Sequence, residues 1–280
     1  MTEQPRAVES EKLVDVVKER YGRIAEKGTT GCCGPQPSPC CGDTSVPVSL
    51  GLGYGKGDLA AVPEGADLSL GCGAPVDHLE LQPGETVLDL GSGGGLDVFL
   101  AAKQVGPTGH VIGVDMTPAM LERARQNAAR SGHSNVDFRE GRLEALPVDD
   151  ASVDAVTSNC VINLVPDKGA VFREVARVLR TGGRLVISDV ILDGRLPEAL
   201  ERDLLAYVGC VSGAMQREAY FALVREAGLG EIELIKDVDF LAVVAGSVPE
   251  EVKAFVETSG VEVGELAGKV HSVTFRARKS

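Results

Sequence analysis

The stretch Thr86-Val-Leu-Asp-Leu-Gly-Ser-Gly-Gly-Gly-Leu-Asp97 decides the fold, because in it a short apolar strand runs into a glycine turn and then into a helix. Gly91, Gly93 and Gly95 allow the backbone to turn tightly and to approach a ligand closely. Asp115 ends the next predicted strand, where its carboxylate can accept hydrogen bonds from a ribose. The pattern therefore predicts a nucleotide-type cofactor site.

The charge beside the turn selects among such cofactors. The last glycine of the dinucleotide-binding fingerprint would fall at Leu96, and Asp89 stands directly before the turn, where it would repel a pyrophosphate. A cofactor with a cationic head suits this carboxylate better. S-adenosylmethionine carries sulfonium and ammonium groups and no phosphate, and it is the cofactor that we expect.

Composition and charge narrow the class of function. With 280 residues, 44% of them hydrophobic, the chain can form one full α/β core and a smaller appendage. The formal net charge of −13 disfavours a nucleic-acid substrate, because binding phosphates requires a basic surface. No apolar run has the length of a membrane span, and the charged first twenty residues lack a signal core. We therefore expect a cytoplasmic protein with a small-molecule substrate and no nucleic-acid or membrane partner.

Strands and helices alternate through the middle of the chain, which predicts a parallel sheet with helices on both faces. Two further strands are expected near the end, at 231–234 and 270–276, with a helix at 249–258 between them. The other predicted elements are strand 86–90, helix 95–105, strand 110–114, helix 118–131, strand 136–139, strand 153–158, helix 167–179, strand 184–189, and helices 197–208 and 217–227.

The N-terminal part differs in composition from the core. Apolar residues at helical spacing predict a helix over 8–27. From Gly28 to Gly57 there are eight Gly, four Pro and four Cys, which predicts a long loop. We expect three regions, namely an N-terminal helix with a cysteine-rich loop or lid (1–82), a cofactor-binding core (83–195) and a C-terminal region that completes the site and the sheet edge (196–280).

Three isolated cysteines are placed near the expected site. Cys160 follows the fourth strand, Cys210 follows the fifth, and Cys72 lies between two glycines before the first. Thiols in the cytosol are mostly reduced, and three converging thiolates suit a soft trivalent centre such as arsenic. The residues alone leave other interpretations open, namely a buried apolar side chain at Cys160, a helix contact at Cys210 and a turn filler at Cys72.

Several segments together resemble the arsenite methyltransferases, a family within the class I S-adenosylmethionine-dependent methyltransferases. They are Cys32-Cys33, Leu70-Gly-Cys-Gly73, the turn at 89–95, Asp115-Met116, Asn159-Cys-Val-Ile-Asn-Leu164 and Gly209-Cys210. The similarity runs from the first helix to about residue 213 and is only general beyond it. It implies a Rossmann-like α/β fold and methylation of trivalent arsenic, with S-adenosylmethionine as the methyl donor.

The resemblance also implies the roles of individual residues. Cys160 and Cys210 correspond to the arsenic-binding pair, Cys72 to the third thiol, and Cys32 or Cys33 to an N-terminal redox partner. Arsenic is the substrate, and no resident metal is implied. The implied cofactor residues are Asp89, Gly91, Ser92, Gly93, Asp115, Met116, Leu143, Glu144 and Asn159.

In the implied mechanism, thiolates take arsenite from cellular thiol carriers, and the arsenic lone pair attacks the methyl group. The product is formally pentavalent, and a pair of protein thiols reduces it by closing a disulfide that an external reductant, thioredoxin or glutathione, reopens. Two alternatives stay open. One is a methyltransferase of an organic small molecule with incidental cysteines, and the other is a metal-binding protein whose Cys32-Cys33 and Cys40-Cys41 pairs hold zinc.

Overall fold

The computed structural model describes residues 7–27, 48–197, 211–240 and 263–280. Seven strands form one sheet in the order β3-β2-β1-β4-β5-β7-β6. The strands are β1 (Thr86–Leu90), β2 (His110–Asp115), β3 (Val136–Glu140), β4 (Val153–Asn159), β5 (Leu179–Leu192), β6 (Leu229–Asp239) and β7 (Val270–Lys279).

The sheet is parallel from β3 to β5, and β7 inserts antiparallel between β5 and β6. In β1, Leu88 pairs with Ile112 on one side and Val156 on the other. The strand order therefore reverses between β1 and β4, which is the position at which open α/β sheets bind ligands.

Helices cover both faces of the sheet. They are α1 (Ala7–Lys27), α2 (Val48–Leu52), α3 (Lys56–Ala61), α4 (Leu96–Val105), α5 (Pro118–Ser131), α6 (Lys168–Val178) and α7 (Arg217–Glu226). Successive side chains of a strand point to opposite faces. Accordingly, Val87 packs in the cluster that contains residues of α4 and α5, whereas Leu88 and Leu90 pack in the cluster that contains residues of α6 and α7.

The predicted α/β architecture is confirmed. The bounds of β1 and α5 are those predicted, and the late antiparallel pair forms the sheet edge through β6 and β7. The strand predicted at 184–189 is longer, because β5 already pairs with β4 at Leu179 and rejoins it at Arg184 after an irregularity. A short 3₁₀ helix, Pro75–His78, begins at a proline and precedes β1.

The loop predicted over 28–57 is wrong at its end. Helix α2 and the first residues of α3 fall within that range. Tertiary packing overrides the glycine-rich composition here, since Leu52 is buried and the buried Ser49 hydroxyl donates to Asp67 at 2.8 Å. Residues 28–47 of that segment lie outside the described residues, and so do residues 198–208 of the helix predicted at 197–208 and the helix predicted at 249–258. The cysteines outside the described residues are Cys32, Cys33, Cys40, Cys41 and Cys210.

Helix α1 confirms the predicted amphipathic segment. It packs against α5, with Val14, Val17 and Ala25 buried. Val17 and Tyr21 also line a cleft at the carboxyl ends of β1, β2 and β4, so α1 forms part of its wall. Within the described ranges, no helix is both long and apolar enough to cross a membrane.

Candidate active site

A cleft opens at the carboxyl ends of β1, β2 and β4, where the strand order reverses. Its empty space, including the mouth, is about 1050 Å³. All nine predicted cofactor residues lie in its wall, namely Asp89, Gly91, Ser92, Gly93, Asp115, Met116, Leu143, Glu144 and Asn159. The fold thus brings together residues that are up to 70 positions apart in the chain.

The glycine turn presents bare backbone to this cleft. Gly91 and Gly93 have positive φ angles of 69° and 51°, which side chains rarely adopt. A Cβ atom at Gly91 would lie 2.8 Å from Val161 Cβ, so that position also has no room for a side chain. The turn therefore lets a ligand approach the backbone directly.

Asp115 ties the end of β2 to this turn. One carboxylate oxygen accepts a hydrogen bond from Gly93 N–H at 3.0 Å, and the other accepts from Thr117 N–H at 2.8 Å. The side chain thus supports the start of α5, and it also lines the cleft. Helix support and ribose binding are therefore compatible roles for this residue.

Three carboxylates crowd the cleft beside the turn. Burial raises the pKa of Asp89 well above its usual range, and the charges of Asp97 and Asp115 raise it further. Burial also raises the pKa of Asp97, to about 6, although hydrogen bonds from Tyr54 and Asn159 oppose the shift. A cation placed among these groups would stabilise their charged forms. The three carboxylates therefore suit the cationic sulfonium and ammonium groups of S-adenosylmethionine.

Asn159, the last residue of β4, connects this acidic region to the Cys72 loop. Its Oδ1 accepts from the N–H groups of Cys72 at 2.9 Å and Gly73 at 3.3 Å. Its Nδ2 donates to Gly73 O at 2.7 Å, Tyr54 Oη at 2.8 Å and Asp97 Oδ2 at 3.3 Å. One side chain thus fixes a candidate arsenic ligand and contacts the cofactor cleft.

Two residues of this network were not predicted. Tyr54 donates to Asp97 Oδ1 at 2.7 Å, and both side chains are buried. Asp97 stands in the first turn of α4, directly after the glycine turn, so its place in the motif was a usable signal. Tyr54 lies in a segment without apolar periodicity, and no sequence signal marked it.

Cys72 and Cys160 meet next to the cleft. Their Sγ atoms and a carboxylate oxygen of Asp189 all lie within 4.8 Å of one another, and all three residues are buried. Cys160 has a φ angle of 57°, which is strained for a residue with a side chain. Its N–H donates to Ser188 O at 2.8 Å, which holds this conformation in place.

The loop that carries Cys72 is held from both sides. Cys72 N–H donates to Asn159, and Cys72 O accepts from the Ser272 hydroxyl of β7 at 2.7 Å. A Cβ atom at Gly71 would lie 2.7 Å from Asn159 Nδ2, and one at Gly73 would lie 2.7 Å from Ser188 Cβ. The glycines on both sides of Cys72 are therefore required by close packing, which fixes the backbone of this cysteine.

Asp189 is a site residue that the sequence analysis treated only as the end of a strand. It is fully buried in β5, and burial raises its pKa to about 7. Its Oδ1 accepts from Asn163 Nδ2 and Val190 N–H, both at 2.9 Å, and its Oδ2 accepts from Tyr220 Oη at 3.0 Å. A single acid inside the apolar run of β5 was the signal available in the sequence.

The fold and the cleft together define a class I methyltransferase domain, and residues 81–228 match the family model described as a methyltransferase domain. The chain is 48% identical to the arsenite methyltransferase of Halobacterium salinarum over 80% of its own length and 59% of that protein. It is 39% identical to the human arsenite methyltransferase over 56% of its length and 44% of that protein.

Among solved structures, the chain is similar to an arsenic(III) S-adenosylmethionine methyltransferase from Chlamydomonas reinhardtii. The two share 33% identity and a TM-score of 0.55, over 83% of this chain and 73% of the other. The chain belongs to the arsenite methyltransferase family. It spans about three fifths of the Halobacterium protein and less than half of the human one.

Proposed function

We propose that this chain methylates trivalent arsenic held by cysteine thiolates, with S-adenosylmethionine as the methyl donor. The observation that carries the proposal is the meeting of Cys72 and Cys160, whose Sγ atoms lie within 4.8 Å of each other. Cys160 lines the same cleft as Asp89 and Asp97. Two thiols at this distance can bind one thiophilic atom beside the acids that suit a cationic cofactor.

The reaction needs no general base, because the nucleophile is the arsenic lone pair. When bound, S-adenosylmethionine supplies an electrophilic methyl group to that lone pair, and arsenic is formally oxidised from the trivalent to the pentavalent state. The protein contributes by positioning the two sulfur atoms. Asn159 and Ser272 hold the Cys72 backbone, and Ser188 holds that of Cys160, so the two sulfur atoms are fixed before arsenic arrives.

Completion of the site and regeneration of trivalent arsenic involve cysteines outside the described residues. We assign Cys210 to the arsenic-binding pair with Cys160, and Cys32 or Cys33 to the redox partner. A protein dithiol reduces the pentavalent product while it is oxidised to a disulfide, and thioredoxin or glutathione reduces that disulfide.

The redox assignment is tested with two paired variants. Cys32→Ser with Cys33→Ser should slow turnover of arsenite, whereas Cys40→Ser with Cys41→Ser should retain most of it in excess dithiol. Initial rates of arsenic methylation measure both. If the variant at 40 and 41 is the inactive one, the redox partner lies in that pair instead.

The methyl transfer itself is tested by incubating the protein with arsenite, S-adenosylmethionine labelled in its methyl group and a dithiol, and by separating the arsenic species. Labelled mono-, di- or trimethylated arsenic is the expected product. The Cys72→Ser, Cys160→Ser double variant is the control and should yield none. Failure of the parent chain to form any labelled arsenical, with the cofactor bound, would contradict the proposal.

A further inference from the structure

The three donor groups beside the cleft differ in chemistry from an all-thiol arsenic site. We propose that Cys72, Cys160 and Asp189 form a binding site for a thiophilic divalent cation, Zn²⁺ or Cd²⁺. Two sulfur donors and one carboxylate oxygen lie within 4.8 Å of one another, on three separate segments of the fold. Cation binding by these groups does not depend on the proposed methylation of arsenic.

The distances are close to those of a tetrahedral metal site. With Zn–S bonds of about 2.3 Å and Zn–O bonds of about 2.1 Å, tetrahedral angles place the donor atoms about 3.6–3.8 Å apart. Donor atoms that already lie within 4.8 Å therefore need to approach by about 1.2 Å at most. Rotation of the two cysteine side chains can supply such a movement without a change of backbone.

The groups around the donors orient them as in metal sites. Hydrogen bonds from Asn163, Val190 and Tyr220 fix the Asp189 carboxylate. Such outer partners hold the ligand in one orientation and raise metal affinity. The backbone hydrogen bonds at Cys72 and Cys160 do the same for the sulfur donors.

Donor type separates this cation from arsenic. Trivalent arsenic bonds to thiolates, whereas Zn²⁺ and Cd²⁺ also take carboxylate oxygen. A coordination shell of three protein ligands leaves a fourth position for water, and Cys160 lies at the cleft, from which an ion can enter. Asp189 should therefore matter for the divalent cation. If the proposed function holds, Zn²⁺ also competes with arsenite for the shared thiols.

The experiment measures Cd²⁺ binding directly, without arsenic or cofactor. The full chain carries serine at positions 32, 33, 40, 41 and 210, so that Cys72 and Cys160 are the thiols that remain. Cd²⁺ is titrated against a chelator, and the ultraviolet thiolate-to-cadmium absorption reports sulfur ligation. One tightly bound Cd²⁺ is expected, and Cys72→Ser and Cys160→Ser should each reduce the absorption.

Asp189→Asn should lower the Cd²⁺ affinity at least tenfold, whereas Asp193→Asn, an exposed change beyond the end of the same strand, should leave it unchanged. Circular dichroism and cofactor binding verify that each variant is folded. An unchanged Cd²⁺ affinity in a folded Asp189→Asn variant would show that the carboxylate is not a ligand and would overturn the proposed site. If that variant does not fold, unchanged absorption in either serine variant would overturn the proposal. Neither result depends on whether the chain methylates arsenic.

Discussion

Replacement of Asn159 by alanine should separate arsenic methylation from folding. This side chain is half-buried in the cleft wall and makes hydrogen bonds to Cys72, Gly73, Tyr54 and Asp97. Alanine removes all of them at once. The loop that carries Cys72 then keeps the hydrogen bond from Ser272 but loses its contact with β4.

The expected cost follows from the groups that lose a partner. Three backbone groups bond this amide, and two of them, Cys72 N–H at 2.9 Å and Gly73 C=O at 2.7 Å, make the short hydrogen bonds that are counted here. An unsatisfied buried polar group costs about 1–3 kcal/mol. If no water replaced the amide, the free energy of unfolding of the variant would fall by about 2–6 kcal/mol. Because Asn159 borders the cleft, water can replace part of the amide, and we expect a loss near the lower limit, about 2 kcal/mol. The fold should survive this change, since domains are stable by about 5–15 kcal/mol.

The catalytic effect should be larger than the loss of stability suggests. A misplacement of a reacting group by about 1 Å can cost about 100-fold in rate. The rate of arsenite methylation at saturating S-adenosylmethionine should fall by about that factor, and denaturant titration gives the stability of the same sample.

The matched control is Asn135→Ala. The Asn135 amide donates to the backbone oxygens of Ala102 and Gly106 at 3.2 and 2.9 Å, at the amino-terminal end of β3 and away from the cleft. This variant should lose similar stability and keep its rate. Equal rates in the two variants would refute the positioning role of Asn159.

Three further predictions concern the cofactor and the thiols. Asp115→Ala should weaken S-adenosylmethionine binding by at least about 1.5 kcal/mol in calorimetric titration, whereas an unchanged affinity would limit Asp115 to supporting the turn. Cofactor affinity should fall as the pH is lowered through about 6, where Asp97 takes up a proton, and Asp97→Asn should weaken this dependence and leave the part that Asp89 contributes. Cys72→Ser should lose methylation of arsenite but retain that of methylarsonous acid, which needs only two thiols. Cys160→Ser should fail on both in assays with labelled cofactor, and a near-native rate on methylarsonous acid would remove Cys160 from the arsenic ligands.

The sheet could be predicted from the sequence because its signals are local. The apolar run of β1, the glycine turn and Pro118 at the start of α5 each mark a boundary by backbone chemistry that acts within a few residues. Side-chain alternation then assigns each strand residue to a face. The extent of β5 was missed because Leu179 pairs with β4 before the glycine-containing turn, and only tertiary pairing decides this.

The network around the site could be predicted only in part. Asp89, Asp115 and Cys160 lie at or next to the carboxyl ends of strands. Because ligands of such sheets bind at these ends, the predicted strand bounds were enough to place the three residues at the cleft. Tyr54 and Asp189 reach the site by other routes. Tyr54 comes from a segment outside the sheet. Asp189 is bonded by partners on α7 and on the short 3₁₀ helix Ile162–Leu164 that follows β4, so neither contact follows from a local pattern.

Protonation of the acids beside the glycine turn has opposite effects on the stability of the fold and on cofactor binding. Burial raises the pKa values of Asp89 and Asp97, so the folded chain binds protons there more tightly than the unfolded chain does. Where the folded state holds more protons, the free energy of unfolding falls as pH rises. For Asp97 this window extends from about pH 4, the unfolded pKa, to about 6, the folded value. Protonation thus stabilises the empty cleft and removes the negative charge that a cationic cofactor requires. An asparagine at position 97 would not carry this cost to stability. Binding of the proposed cationic cofactor therefore accounts for the presence of a carboxylate there, whereas fold stability does not.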